Sequence, residues 1–335
     1  KDTKNSKILE FKMSFFNKSE ELILLNAKSV VVGFSGGVDS TLALNATMQF
    51  LEKHNKKSCL TAIHVNHQTQ SSSATWEKHC ENFCNTHKIN FLCKTVEINE
   101  TGQGYEAAAR SARLEIFNSF DEGSVIILGH HLDDQVETVF FRVLRGTGLK
   151  GLTGMQRYIK IKDKHFMRPL LHVTKEEIIE HVNDQKLSFI EDDSNTDNVY
   201  SRNFLRNEII PKIVERWPGA KRNTARMANL LTKQSSLYHR FLLERLANVC
   251  DEDGLLLDKL SELDYFERSE MIRIWLDQQS FASPNESQMK ELEKSFFQSR
   301  QDAKPTIKFY REDAQKTGVI LSKINNYLIA EKINE

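Results

Sequence analysis

The sequence predicts an α/β protein: a parallel-sheet N-terminal domain covered by helices, followed by a smaller, mostly helical C-terminal domain. Three observations carry this. Short apolar runs alternate with helical periods as far as about residue 200. From Ser201 the pattern becomes mostly helical. Finally, 5 Pro and 14 Gly in 335 residues are too few for a turn-rich all-β, collagen-like or low-complexity chain.

The elements follow in order. Ser29–Phe34 (SVVVGF) reads as a buried strand, and Val38–His54 as a helix with Leu42, Ala46, Phe50 and Leu51 on one face. Cys59–Val65 is the next strand, Ala74–His87 the next helix and Phe91–Val96 the third strand. Tyr105–Phe120 has Ala108, Ala112, Ile116 and Phe120 at helical spacing. Val125–Gly129 is a fourth strand and Asp133–Leu144 a helix, with Asp133 the expected N-cap. Leu149–Lys162 is Gly-rich and basic, and reads as a mobile loop followed by a strand. Thr174-Lys175-Glu176-Glu177 is a capping box that opens a helix to about Gln185. Trp217-Pro218-Gly219 breaks the chain, giving expected domains of 1–217 and 218–335. The second has Leu230, Leu231, Leu237, Phe241, Leu242, Ile272 and Ile274 as its expected core, and strands at Thr306–Tyr310 and Gly318–Ile329.

Composition narrows the class. Hydrophobic residues are 39% and aromatics 9%, enough for a sizeable core and too many for a mostly disordered chain. The 5 cysteines include no CxxC, which disfavours a disulfide framework or a four-cysteine zinc site and favours inert thiols in a reducing cytoplasm. No apolar run approaches the roughly 18 residues of a membrane span, and Lys1–Lys12 is polar with no signal-peptide core. Residue 1 is Lys, so Met13 is a second conceivable start.

Four segments carry chemistry. Ser35-Gly36-Gly37-Val38-Asp39-Ser40 follows a strand and opens a helix. Its glycines let backbone N–H groups approach a phosphate, and the helix N-terminus adds partial positive charge. The Walker A lysine is absent. Gly146–Gly151 matches GxGxxG, but a helix precedes it where a dinucleotide fingerprint needs a strand. A basic, flexible loop that closes on a substrate is the better reading. His130-His131-Leu132-Asp133-Asp134-Gln135-Val136-Glu137-Thr138 lies where the fourth strand gives way to a helix, with Asp134 and Glu137 at i, i+3. Two carboxylates there suit Mg²⁺ or an ammonium group. Glu106, Arg110 and Arg113 share one helical face, and Arg202 and Arg206, with Asn203 and Asn207 beside them, another. Such faces suit phosphates or base edges as well as ordinary solvation.

SGGVDS, LGHHLDDQVET, RGTGLKGL, Arg168-Pro169-Leu170-Leu171 and EDDSN…YSRNFLRNEIIP occur in one order between Val30 and Pro211. That combination resembles the tRNA(Ile)-lysidine synthetase family of PP-loop ATP pyrophosphatases, and implies an adenine nucleotide alpha hydrolase-like fold. The resemblance implies a C–N ligase that adenylates C2 of the wobble cytidine (position 34) in the CAU-anticodon isoleucine tRNA, releases pyrophosphate, then lets free L-lysine displace AMP. ATP would be a substrate and Mg²⁺ a cofactor. Ser35, Gly36, Gly37, Val38, Asp39 and Ser40 would cradle ATP, and Asp39 would ligate Mg²⁺. Asp134 and Glu137 would hold the lysine ammonium or Mg²⁺, and His130 or His131 would serve as base. Arg110, Arg113, Arg145, Arg202 and Arg206 would hold tRNA or phosphate. A cytoplasmic location and a homodimer are further expectations. A tRNA cytidine thiolase is the main alternative, disfavoured by the missing CxxC. An amidotransferase-type synthetase would need an ammonia-generating domain that is not evident, and a bare ATP-binding module would not need the added acids and arginines. Some members carry another small domain after the helical one; this chain ends at Glu335.

The 46 basic and 46 acidic residues cancel overall but not locally. Arg142–His172 holds eight Lys and Arg against one acid, and Ser201–Cys250 ten against three. Residues 251–300 are acidic, with twelve acids against six bases. The two positive stretches are expected to form a tRNA track.

Overall fold

The computed structural model describes residues 15–66, 73–96, 105–191, 201–300, 303–309 and 317–333. The chain divides into two compact units, Lys1–Thr232 and Lys233–Glu335, so the division falls beyond the Trp217-Pro218-Gly219 break.

The first unit is built on β1 (Val30–Gly33). Val30 and Val32 face one hydrophobic cluster while Val31 faces another with Ile63, Phe117, Ile126 and Phe166. A strand buried on both faces reads as an unbroken apolar run, which is why VVV forms the centre of the sheet. The sheet order is β3-β2-β1-β4-β6-β5, with β2 (Leu60–Asn66), β3 (Asn90–Thr95), β4 (Val125–Ile127), β5 (Tyr158–Ile161) and β6 (Lys164–Met167). All pairings are parallel except β5 with β6. β1 is flanked by β2 and β4, so the strand order reverses there, and the crevice beyond the strand ends is the expected ligand position.

The helices are α1 (Lys18–Asn26), α2 (Val38–Lys53), α3 (Ser73–His87), α4 (Tyr105–Asn118), α5 (Leu132–Leu144), α6 (Leu149–Leu152) and α7 (Lys175–Asp184). α8 (Ser201–Phe204), α9 (Ile210–Arg216) and α10 (Ala220–Val249) follow. Two elements were not foreseen. Asn17 and Glu20 form a capping box that starts α1, and Arg157 then clamps the buried Glu20 at 2.7 and 2.8 Å. β6 (KHFM) has too little β-branched character to stand out, and forms by pairing with β4 and β5.

The segment expected to be a mobile loop is instead pinned. Arg142 donates to the Gly151 and Gly154 carbonyls at 2.9 Å each, and Gln135 exchanges two hydrogen bonds with the Met155 backbone. Residues Leu149–Leu152 form a short helix rather than a loop.

The second unit combines the end of α10 with α11 (Leu257–Ser261), α12 (Tyr265–Gln278) and α13 (Glu286–Phe296). It also has an antiparallel sheet, β7-β10-β9-β8, from β7 (Leu255–Leu256), β8 (Thr306–Phe309), β9 (Val319–Ile324) and β10 (Tyr327–Lys332). The expected single strand Gly318–Ile329 is a hairpin broken at Asn325, whose φ is +53°. Leu242, Ile272 and Ile274 are buried as expected, but Leu230, Leu237 and Phe241 are exposed. The buried face of α10 there runs through Tyr238, Leu242, Leu246 and Val249, about 100° away from Leu237 and Phe241. No helix among the described residues is long and apolar enough to cross a membrane.

Candidate active site

The loop after β1 builds one wall of the crevice. Gly36 has φ +86°, a conformation glycine adopts freely. Ser40 Oγ accepts from the Ser35 N–H at 3.2 Å and donates to the Gly37 carbonyl at 2.9 Å, while the Ile190 N–H donates to the Gly36 carbonyl at 2.8 Å. Gly37 is the N-cap of α2 with no side-chain cap, so the helix presents its first N–H groups to the crevice. Behind it, a Cβ on Gly129 would stand 3.1 Å from backbone atoms of Asp39 and Ser40, so the strand-β4 exit and the start of α2 touch closely.

Opposite stands the start of α5. Its N-cap is His131, not Asp133. The His131 ring accepts from the Asp133 N–H through Nδ1 at 3.2 Å, and the Asp134 carboxylate accepts from the His131 N–H at 3.0 Å. An accepting Nδ1 carries no proton, so the neutral ring is protonated at Nε2. That atom lies 3.6 Å from Asp39 Oδ1 and 3.5 Å from Asp134 Oδ2, linking the two walls.

Asp39 also accepts from Lys175 Nζ at 2.8 Å on both oxygens. Lys175 is the first residue of α7; its backbone N–H donates to Asp133 at 2.9 Å. Lys221 pairs with Asp133 and Glu176, and Arg222 with Glu177 at 2.7 Å. Burial works against the Lys221 charge, yet its two acids hold its pKa above the usual lysine value. None of Lys175, Lys221 or Arg222 was singled out from sequence as a site residue. The capping box marked where Lys175 sits, but only packing places its side chain on Asp39.

Arg206 points inward. It donates to Glu137 through Nε at 2.6 Å and Nη2 at 2.9 Å, and to Asp134 at 3.4 Å. Glu137 is 2% exposed. Burial pushes its carboxyl above the ordinary range, and Arg206 pulls it partly back. Arg202 instead stands over the Phe141 ring at 5.9 Å, alongside Arg145 at 5.2 Å. Glu137 and Phe141 are i, i+4 on α5, so both arginines pack along one stripe of that helix. Leu205–Ile209 is a π-turn, with the Ile210 N–H donating five residues back to Leu205, next to Pro211, which has no N–H.

A second cationic group gathers around His130. Burial, then Arg168, Arg110 and Arg113, push the His130 imidazole down to about 4 against the pull of Asp134. Burial and Arg110 push Arg168 down to about 10, and Arg142 is lowered by burial and by Arg110 and Arg202. His130 Nδ1 and Arg168 Nε are both buried with no hydrogen-bond partner among the described residues. Like charges held together beside orphaned nitrogens suit an incoming anion. Asp192, Asp193, Ser194, Asn195 and Tyr200 lie outside the described residues, as does the Glu106 side chain.

Residues 5–213 match the PP-loop domain family. A tRNA(Ile)-lysidine synthase of Proteus mirabilis is 33% identical over 289 residues, covering 86% of this chain and 66% of the relative. Proteins of the same name from Photorhabdus laumondii and Escherichia coli O157:H7 are each 34% identical, over 86% and 85% of this chain. The chain thus spans just under two thirds of the length of these curated relatives. Among solved structures, a U34-tRNA thiolase of Methanococcus maripaludis with a 4Fe-4S cluster has a TM-score of 0.50 at 18% identity, covering 63% of this chain and 77% of its own. That likeness speaks to the fold alone. With more than half its length matched by the family, this chain belongs to the PP-loop domain family.

Proposed function

We propose that this protein is an ATP-dependent C–N ligase that joins lysine to C2 of the wobble cytidine of the CAU-anticodon isoleucine tRNA, by way of an adenylated cytidine. The observation that carries the reading is the pairing of a phosphate-cradling loop with the acid and arginine wall of α5, in a chain a third identical to proteins of that name.

The Ser35–Ser40 loop cradles the ATP phosphates. Where Mg²⁺ accompanies ATP, Asp39 is the carboxylate suited to it, because Mg²⁺ typically takes one or two carboxylates plus phosphate oxygens and keeps its waters. When bound, the ion neutralises charge on the phosphates. Asp134, beside Arg206, receives the lysine ammonium, whose pKa near ~10.4 keeps it charged on binding; a base must take one proton to free the lone pair that attacks C2. Glu137 fixes Arg206, which then faces charge building on the transferred phosphoryl group. His130, held neutral at pH 7 by its pKa of about 4, offers a hydrogen bond to the bound nucleotide. Arg110, Arg113 and Arg168 take an RNA phosphate, with Arg145 and Arg202 at the rim. A cytoplasmic setting follows from a tRNA substrate.

A tRNA cytidine thiolase, which would use the same adenylation, is the second reading. Burial pushes Cys80 and Cys84 to about 12, and Cys93 to about 11. Thiols protonated at neutral pH are poor sulfur carriers.

Incubation with unmodified tRNA, ATP and labelled lysine tests the proposal. Label should enter position 34, and Asp134→Ala should abolish entry while remaining folded. No entry with the wild-type chain, or full entry with Asp134→Ala, defeats the reading or the assignment respectively.

A further inference from the structure

We propose that His79, on α3, is a pyrophosphate-binding residue, donating a hydrogen bond from Nε2 to the β- or γ-phosphate of ATP held by the Ser35–Ser40 loop. This rests on the ATP-using reading above.

His79 Nε2 is buried and has no hydrogen-bond partner among the described residues. Buried polar atoms nearly always have one, and an orphan forfeits its hydration without return. The same ring edge lies against the loop: Cδ2, bonded to Nε2, is 3.5 Å from the point where a Cβ on Gly36 would stand. Gly36 lacks that Cβ and has φ +86°, so the loop and the imidazole approach without a side chain between them. Cys80, the next residue on α3, reaches the same point at 3.1 Å, but burial holds its thiol near 12 and leaves it a weak donor.

Sheet order gives the side. α3 follows β2 and α5 follows β4, and these strands flank β1 on opposite edges. The acids and Arg206 lie on the β4 side, which the reading above assigns to the α-phosphorus. The leaving group then extends toward β2 and α3. In that step the bond from the α-phosphorus to the bridging oxygen breaks, and its electron pair leaves with pyrophosphate. His79 transfers no proton; its hydrogen bond meets the charge gained by the departing oxygens.

Calorimetric titration of the full chain with ATP, AMP and inorganic pyrophosphate tests this. His79→Ala should weaken ATP and pyrophosphate about tenfold, the size of a hydrogen bond to a charged group, and leave AMP within about twofold. His79→Gln, which sets an amide nitrogen near the Nε2 position, should recover most of the loss. In the wild-type chain the ¹⁵N signal of His79 Nε2 should shift on adding pyrophosphate, a readout that needs no variant. Unchanged ATP and pyrophosphate affinity in a folded His79→Ala, equal weakening of ATP and AMP, or an unmoved Nε2 signal overturns the inference while leaving the ATP reading intact. Wild-type protein that binds none of the three overturns both.

Discussion

The loop after β1 closes on itself: Ser35, Gly37 and Ser40 hydrogen-bond one another within six residues, and a strand and a helix fix its ends. The wall after β4 is held from afar. Asp133 is bonded by Lys175, Glu137 by Arg206, and the two walls are joined by Lys175 on Asp39, 136 positions along the chain. The first wall is held mainly by neighbours in the chain, with one distant backbone tie from the Ile190 N–H to the Gly36 carbonyl. The second exists only once the whole unit has folded. Damage to the first should therefore stay local, and damage to the second should spread into stability.

The sharpest way to break that comparison is Arg206→Met. It leaves Glu137, 2% exposed, without its partner. An uncompensated buried carboxylate costs about 3–5 kcal/mol, and Arg206 is itself 37% exposed, which argues for about 3. Urea unfolding measures this, and Arg206→Met with Glu137→Leu should recover a large part. A single-variant loss under about 1 kcal/mol would mean the second wall is as self-contained as the first.

The His130 group gives the next effect. In the unfolded chain its imidazole titrates near 6.5, in the folded chain near 4. Between those values the unfolded state binds the extra proton, so stability rises with pH and is lost as pH falls from about 6.5 through 4. The limit is about 3 kcal/mol. The difference between wild type and His130→Asn, followed by denaturation from pH 4 to 7, should shrink toward low pH. A constant difference would show that burial and the nearby arginines do not hold the imidazole below its ordinary range.

The same division explains what the sequence made legible. SGGVDS and the order of strands from Val30 to Ile127 could be read because each depends on neighbours in the chain. Asp134, Glu137 and Arg206 are each legible as site residues, but the pairing of Arg206 with the two acids is not, because only packing brings Arg206 onto α5. Net charge misled for a related reason. In Arg142–His172, Arg142 donates to two carbonyls and Arg157 to Glu20, so part of the positive stretch is spent inside the fold rather than offered to RNA. Residue type gives the charge, but only packing gives its direction.

On the local wall, Gly36→Ala should cost about 1–2 kcal/mol of stability, since φ +86° is strained for any Cβ. The new methyl would also meet Cys80 Sγ at 3.1 Å and Ile190 Cδ1 at 3.3 Å. The chain should fold, with ATP affinity falling more than stability does. Proportionate losses in both would show that the loop props up the unit rather than serving the ligand.

The smallest expected effect is the most discriminating. Lys175 on Asp39 and Arg206 on Glu137 are both bidentate pairs with contacts of 2.6–2.9 Å, so contact geometry alone would rank them together. Exposure separates them: the Lys175 and Asp39 side chains are 37% and 29% exposed, whereas Glu137 is 2%. Solvent screens the first pair, and such pairs are worth about 0–1 kcal/mol. Lys175→Met should therefore change urea stability by less than about 1 kcal/mol, a third or less of the Arg206→Met loss. Loss of the lysine also frees the Asp39 carboxylate, which a phosphate-borne cation would otherwise have to win from an ammonium. Magnesium-dependent ATP binding should thus tighten or hold in Lys175→Met while stability barely moves. A loss of stability matching Arg206→Met would show that distance along the chain, not burial, decides what each ion pair is worth.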